Sequence, residues 1–168
     1  MKKETFIILH NIRSAYNVGS IFRTADAAGV RKIFLTGYTP APVDKFGKIN
    51  SQIQKTALGA EKTIEWEKKK DIGKLIAKLK GDKSPYGEQF SVVAVEQSPN
   101  SINYKKFKLA RSQVGPKYPL ALIFGNEITG LSSKILQKCD VVIEIPMAGK
   151  KESLNVAITA GIVLFDLR

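Results

Sequence analysis

Short apolar runs recur along this chain and alternate with stretches whose apolar residues fall at helical spacing. Phe6 to Leu9 reads as a buried strand, a loop follows through Arg13, and a helix runs from about Asn17 to Ala28 with Gly29 as its carboxyl cap. Lys32 to Leu35 is a second strand, so the chain opens on the strand, helix, strand order of a parallel sheet. A long loop from Gly37 to Asn50, broken by Pro40, Pro42 and Gly47, leads to a helical turn near Gln52 to Leu58 and a strand around Thr63 to Glu67. Ile72, Leu75, Ile76 and Leu79 then mark one face of a helix from Asp71 to Lys80, and Gly81 to Glu88 reads as a surface turn.

Ser91 to Val95 and Leu120 to Phe124 are further buried strands, separated by a basic connection from Ser98 to Pro119. Val141 to Ile145 is the last strand, and a helix from about Leu154 to Leu167 closes the sequence. That helix is apolar on nearly every face and needs cover on all sides, which predicts a homodimer. The expected fold is α/β, a mostly parallel sheet flanked by helices. The 168 residues are expected to form one domain, with a core large enough to need neither disulfide nor metal.

Composition narrows the partner. Twenty-seven Lys and Arg stand against 15 Asp and Glu, a formal net charge of +12, and such a field attracts polyanions, nucleic acid first among them. Most of these cations are lysines, suited to tracking phosphates more than to reading base edges. No apolar run approaches the roughly 20 residues that cross a bilayer, and the segment after Met1 is too short for a secretory leader. One cysteine, Cys139, and one histidine, His10, leave no metal cluster. A cytoplasmic, metal-free protein is expected, with His10 structural.

Three segments place small or polar residues at the ends of apolar runs, where α/β proteins build ligand sites. The first is Asn17-Val18-Gly19-Ser20-Ile21-Phe22-Arg23. On a helix, Gly19, Arg23 and Asp26 share one side while Val18, Ile21, Phe22 and Ala25 form the core stripe. Gly19 would let another backbone or a ribose come close; Arg23 would project toward that point or pair with Asp26, and Asn17 could serve as an N-cap. The second segment is Phe124-Gly125-Asn126-Glu127-Ile128-Thr129-Gly130, in which Gly125 would let a ligand lie against the main chain. Glu127 would orient Arg23 or a ribose, or cap a short helix after Gly130. The third is Ile145-Pro146-Met147-Ala148-Gly149 running into Ser153-Leu154-Asn155. Ser153 fits the N-cap of the last helix, and Asn155, read as a buried amide, needs partners. No GxGxxG, Walker A or GxSxG pattern occurs, so dinucleotide binding, nucleotide hydrolysis and serine hydrolysis have no support.

Taken in order, the three segments resemble the signature motifs of the SpoU (TrmH-type) RNA ribose 2′-O-methyltransferases of the SPOUT superfamily, over nearly the whole chain. The resemblance implies a C-terminal trefoil knot built from the loops at Gly125 to Gly130, Ile145 to Lys150 and Ser153 to Asn155, holding S-adenosyl-L-methionine. Phe124, Gly125, Asn126, Gly130, Ile145, Pro146, Met147, Ser153 and Leu154 would bind the cofactor, the main chain of Ile145 to Met147 facing the adenine edge and Leu154 closing over the ring. Arg23, Asn17, Glu127, Ser153 and Asn155 would form the catalytic set on tRNA or rRNA, in a site completed by the dimer. Larger members of the family carry additional RNA-binding segments. Here no separate RNA-binding extension is expected, so recognition would fall to the core surface, the Gly37 to Asn50 loop, the Ser98 to Pro119 segment and the lysines. The alternatives are a non-catalytic RNA-binding or assembly protein on the same fold and a SPOUT enzyme that methylates a base.

Overall fold

Strand β1 (Thr5–His10) is apolar at every inner position because both of its faces are covered, and it pairs in parallel with β2 (Lys32–Thr36) on one side and β6 (Leu120–Phe124) on the other. The computed structural model describes residues 4–81, 89–109 and 115–167. With β3 (Glu65–Lys69), β4 (Ser91–Val95), β5 (Ile102–Asn103) and β7 (Val141–Glu144), the seven strands run in the order β3-β2-β1-β6-β4-β7-β5, every strand pairing parallel. Strands β1, β2, β4 and β6 match the predicted runs closely because a strand buried on both faces reads as an uninterrupted apolar stretch.

Alternation along each strand divides the core between the two faces. Ile7, Leu9, Ile33, Leu35, Leu122 and Phe124 point to one side, where α1 (Ala15–Ala28) and α7 (Val156–Leu167) pack. Phe6, Ile8, Phe34, Ala121 and Ile123 point to the other, under α4 (Ile72–Lys80). Each fully buried large apolar side chain is worth about 1.5–3 kcal/mol of transfer free energy, so these two layers dominate the favourable term. Edge strand β3 is charged instead: Lys32 Nζ reaches Glu65 Oε1 at 2.6 Å and Glu67 Oε2 at 3.2 Å, which leaves an unattractive edge for further pairing.

Several boundaries shift for identifiable reasons. Helix α1 begins two residues early because Ser14, not Asn17, is its N-cap; the Ser14 side chain accepts from the main-chain N–H of Asn17. The strand expected over Thr63 to Glu67 starts only at Glu65. Between α2 (Ser51–Ala57) and β3 an extra turn, α3 (Ala60–Thr63), opens on Gly59 at φ +97°. The connection from Ser98 to Pro119 holds β5 and α5 (Tyr104–Leu109), both too short to show periodicity among lysines; its residues 110–114, like most of the predicted Gly81 to Glu88 turn, lie outside the described residues. A last short helix, α6 (Ser133–Leu136), follows Gly130.

Gly19 faces protein. It is buried, and a Cβ there would collide with Thr56 Oγ1 and the main-chain oxygen of Ile53, so the glycine serves the close approach of α2 to α1 and no ribose can reach it. Among the described residues no helix is long and apolar enough to cross a membrane, and no group of His, Cys, Asp and Glu could hold a metal ion.

Candidate active site

The carboxyl ends of β1, β6, β4 and β7, which are neighbours in the sheet, bring the singled-out segments to one edge. Glu127, just beyond β6, is the centre of a clamp. Its carboxylate accepts from the main-chain N–H of Arg13 (3.1 Å) and Ser14 (3.3 Å) and from Asn17 Nδ2 (3.2 Å). Asn17 Oδ1 in turn accepts from Asn155 Nδ2 at 3.1 Å. Asn17, Glu127 and Asn155, one from each segment, are therefore joined in a chain of hydrogen bonds, and with Arg13, Ser14 and Ile128 they line an open pocket of about 460 Å³.

Two expectations for these residues change. Glu127 does not cap α6, where Ser132 holds the N-cap position, and it makes no bond to Arg23. Asn155 is exposed, not buried, and it takes the capping role expected of Ser153: Asn155 Oδ1 accepts from the N–H of Ala157 at 2.8 Å as α7 begins.

Burial would raise the Glu127 carboxyl pKa, but the hydrogen bonds from Arg13, Asn17 and Ser14 outweigh it and the net shift is downward from 4.5. The group is an anion at neutral pH, an acceptor that fixes the loop after β1 to the start of α1. Because its folded pKa is depressed, its contribution to stability is fully present above about pH 4.5 and is lost as pH falls through the lower folded value. Urea midpoints of wild type and Glu127→Gln should differ most above that pH and converge in stronger acid; a difference that persists there would contradict the clamp.

Asn126 is 8% exposed and ties the same edge together. Its Nδ2 donates to Asn11 O (3.0 Å) and to Tyr38 Oη (2.6 Å), while its Oδ1 accepts from the N–H of Ile128 and of Thr129, each at 2.8 Å. Gly125 accommodates its own loop: a Cβ there would meet Leu131 Cγ at 2.7 Å, so Leu131 fills the space expected for a ligand. Gly130 combines φ +63° with a Cβ position that would strike the Glu96 carboxylate. Phe124 is 1% exposed, and its ring belongs to the core.

A smaller cavity, about 80 Å³, opens between the ends of β4 and β7 and the start of α7. Ile145, Met147, Ser153 and Leu154 line it as expected, together with Val95, Glu96, Gln97, Glu144 and Thr159. Pro146 is exposed beside it. The apolar walls and two carboxylates suit a ligand with a flat ring and a cationic centre. Gln97 Nε2 donates to Glu152 O at 2.8 Å and holds the loop before α7 over the end of β4.

Glu96 is the residue sequence reasoning missed. Its carboxylate accepts from Leu131 N (2.8 Å) and Gln97 N (3.0 Å), linking the second segment to the small cavity. The signal was present: an acidic residue directly after the apolar run Ser91 to Val95, at the carboxyl end of a buried strand.

Arg23 stands apart. It is exposed on α1, bonds with no described residue, and lines neither cavity; Asp26, its candidate partner, accepts instead from Thr63 Oγ1 at 3.1 Å. Six positions beyond Asn17, it lies about 9 Å farther along the helix and about a third of a turn around it. His10 is held by Thr36 Oγ1 (2.9 Å) and by Asn11 Nδ2, which donates to Nε2 (3.1 Å), and burial lowers its pKa; these contacts fit its structural reading.

Comparison with known proteins gives one family description, SpoU rRNA methylase, matching residues 4–165. The chain is 32% identical over 162 residues to a 23S rRNA (guanosine-2′-O-)-methyltransferase, RlmB, of Neisseria meningitidis, covering 96% of this chain and 57% of that protein. It is 31% identical over 165 residues to a tRNA (guanosine(18)-2′-O)-methyltransferase of Aquifex aeolicus, covering 98% and 69%. Among solved structures, an AdoMet-bound rRNA methyltransferase from Sinorhizobium meliloti superposes with a TM-score of 0.79 at 29% identity, over 100% of this chain and 57% of that one. The chain thus spans little more than half the length of several of the relatives it matches.

Proposed function

The chain belongs to the SpoU rRNA methylase family, and from that premise we propose that it transfers a methyl group from S-adenosyl-L-methionine to a ribose 2′-hydroxyl of tRNA or rRNA. The observation that carries this reading is the joining of Asn17, Glu127 and Asn155 into one network beside an open pocket, next to a cavity of suitable chemistry. The family relationship and the AdoMet-bound structural relative support the cofactor.

In this reading Val95, Ile145, Met147 and Leu154 would hold the adenine ring, and Glu96, Glu144 and Ser153 would offer acceptors to the polar part of the cofactor. When bound, the cofactor supplies a sulfonium-activated methyl. Asn17 and Asn155, held by ionised Glu127, position the ribose for in-line attack by its 2′-oxygen, and much of the acceleration comes from that orientation. The hydroxyl proton passes to water in the open pocket as the oxygen attacks. A guanidinium holds its proton and is a poor base, so Arg23 is assigned to the developing negative charge on oxygen and to a neighbouring phosphate.

Arg23 requires a second protomer in this reading. It is exposed on α1 with no partner among the described residues; α1 packs beside α7, and α7 leaves Ile158 and Phe165 at 56% and 44% exposure. A homodimer that covers those side chains would bring Arg23 to the site. The proposal extends to the trefoil knot, for which the support is the out-of-sequence order β6-β4-β7 and the Gln97 to Glu152 bond that holds the last loop across β4. It also takes residues 1–168 as a single methyltransferase domain, in a cytoplasmic setting.

Incubation with labelled S-adenosyl-L-methionine and either total tRNA or rRNA should transfer label to one of them, and Asn17→Ala should remove most of it. A chain that binds the cofactor and labels neither RNA would overturn the reading. Leu154→Asp should weaken cofactor binding about tenfold or more by placing a carboxylate where an apolar wall is needed, a cost on the order of 1–3 kcal/mol. Unchanged affinity by calorimetry would mean that the ring lies elsewhere.

A further inference from the structure

A large cleft among the described residues is outside the site just described. About 830 Å³ in volume, it lies between the loop after β2 and the end of β3, and its lining combines Tyr38, Trp66, Val43 and Ile49 with Lys45, Lys48 and Lys68. Building on the RNA reading above, we propose that this cleft binds an unpaired nucleotide of the RNA, a neighbour of the one whose ribose enters the Asn17, Glu127 and Asn155 pocket.

Three observations point there. The first is chemistry: aromatic faces beside ammonium groups accept a base by stacking and its phosphate by charge, whatever the base. Three lysines line the cleft against one carboxylate, Asp44; Lys68 Nζ donates to Thr39 O, which leaves Lys45 and Lys48 as the cations offered to a phosphate. A nucleotide is the ligand that needs both halves of this surface; an apolar metabolite would leave the lysines without a role.

The second is position. Tyr38, 59% exposed and lining the cleft, accepts at its hydroxyl from Asn126 Nδ2, and Asn126 is the immediate neighbour of Glu127. The Tyr38 N–H donates to Asn11 Oδ1 at 3.2 Å, which pins the residue to the end of β1 as well. The cleft is thus tied through Tyr38 and Asn126 to the loop that carries Glu127.

The third is preorganisation. The loop is a closed hairpin in which Val43 and Ile49 pair, Asp44 N donates to Lys48 O at 3.0 Å, and Asn50 N donates to Pro42 O at 2.9 Å. At its tip Phe46 is 81% exposed, with Lys45 Nζ 4.8 Å from the ring centroid. Ordering this loop costs little on binding because its own hydrogen bonds already hold it. An aromatic so exposed beside a lysine gives a second stacking surface at the mouth of the cleft.

Trp66 is the chain's single tryptophan and lines the cleft, so its emission reports occupancy directly. Titration of the full chain with a single-stranded oligoadenylate of about 10 nucleotides, and separately with total tRNA, should quench Trp66. The double variant Lys45→Ala, Lys48→Ala should bind both RNAs about fivefold or more weakly, and the slope of log affinity against log salt should fall by about 0.7 for each phosphate no longer neutralised by a lysine. Its affinity for S-adenosyl-L-methionine should equal that of wild type. RNA retained on a filter with Trp66 emission unchanged, or retained equally by the double variant, would overturn the cleft assignment while leaving the methyltransferase reading in place. Wild-type chain that retains no RNA would overturn both.

Discussion

Arg23→Ala is expected to lower the rate of methyl transfer by about a hundredfold to a thousandfold, the range seen when one donor to a developing oxyanion is removed. Fold and cofactor affinity should stay close to wild type, because the arginine is exposed, bonds with no described residue, and lines neither cavity. The loss should therefore fall on the chemical step. Arg23→Lys should recover only part of it: a lysine keeps the charge but lacks the planar fork of donors that can hold an alkoxide and a phosphate together. Single-turnover rates at saturating cofactor, with cofactor affinity measured beside them, separate the two effects. An equal fall in cofactor affinity would remove Arg23 from the reaction and place it in the binding site.

Gly19→Val should cost about 3 kcal/mol, which lowers the melting temperature of a chain of this size by about 6–12 °C. The added atoms would run into Thr56 Oγ1 and the main-chain oxygen of Ile53, with Ala57 N at 3.1 Å. A side-chain oxygen can rotate away; two main-chain atoms of α2 cannot. Thr56 Oγ1 also donates to Tyr16 O at 2.9 Å, so moving α2 outward breaks a bond that fastens the two helices. Gly19→Ala sharpens the test because two effects oppose each other. Helix propensity alone favours alanine by about 1 kcal/mol, whereas the close approach predicts destabilisation. Thermal unfolding that shows Gly19→Ala more stable than wild type would mean that α2 does not approach α1 this closely.

Much of the sheet could be read from the chain because parallel strands covered on both faces leave continuous apolar runs. Ser91 to Val95 and Leu120 to Phe124 appear as strands with the predicted limits. Helix caps were less legible. Ser14, Asn17, Ser153 and Asn155 are all competent N-caps, and only the tertiary structure selects Ser14 and Asn155. Glycines were legible as close approaches but not as to what approaches: Gly19 admits α2, Gly125 admits Leu131, and Gly130 admits Glu96.

The candidate site shows the same division. Resemblance to the family's motifs, more than spacing, singled out Asn17, Glu127 and Asn155, yet the bonds that join them span 110 and 138 residues of sequence, and no local pattern encodes such pairings. Strand order sets them. Because β6 lies between β1 and β4, the loop carrying Glu127 meets both the start of α1 and the loop carrying Glu96. Arg23 is the reverse case, prominent in the sequence and unattached in the single chain.

The central claim is that the methyl group goes to a ribose oxygen. Product RNA from a reaction with labelled S-adenosyl-L-methionine, digested to nucleosides and resolved by mass, tests it most directly. The expected result is label in 2′-O-methylated nucleosides; label on a base would contradict it.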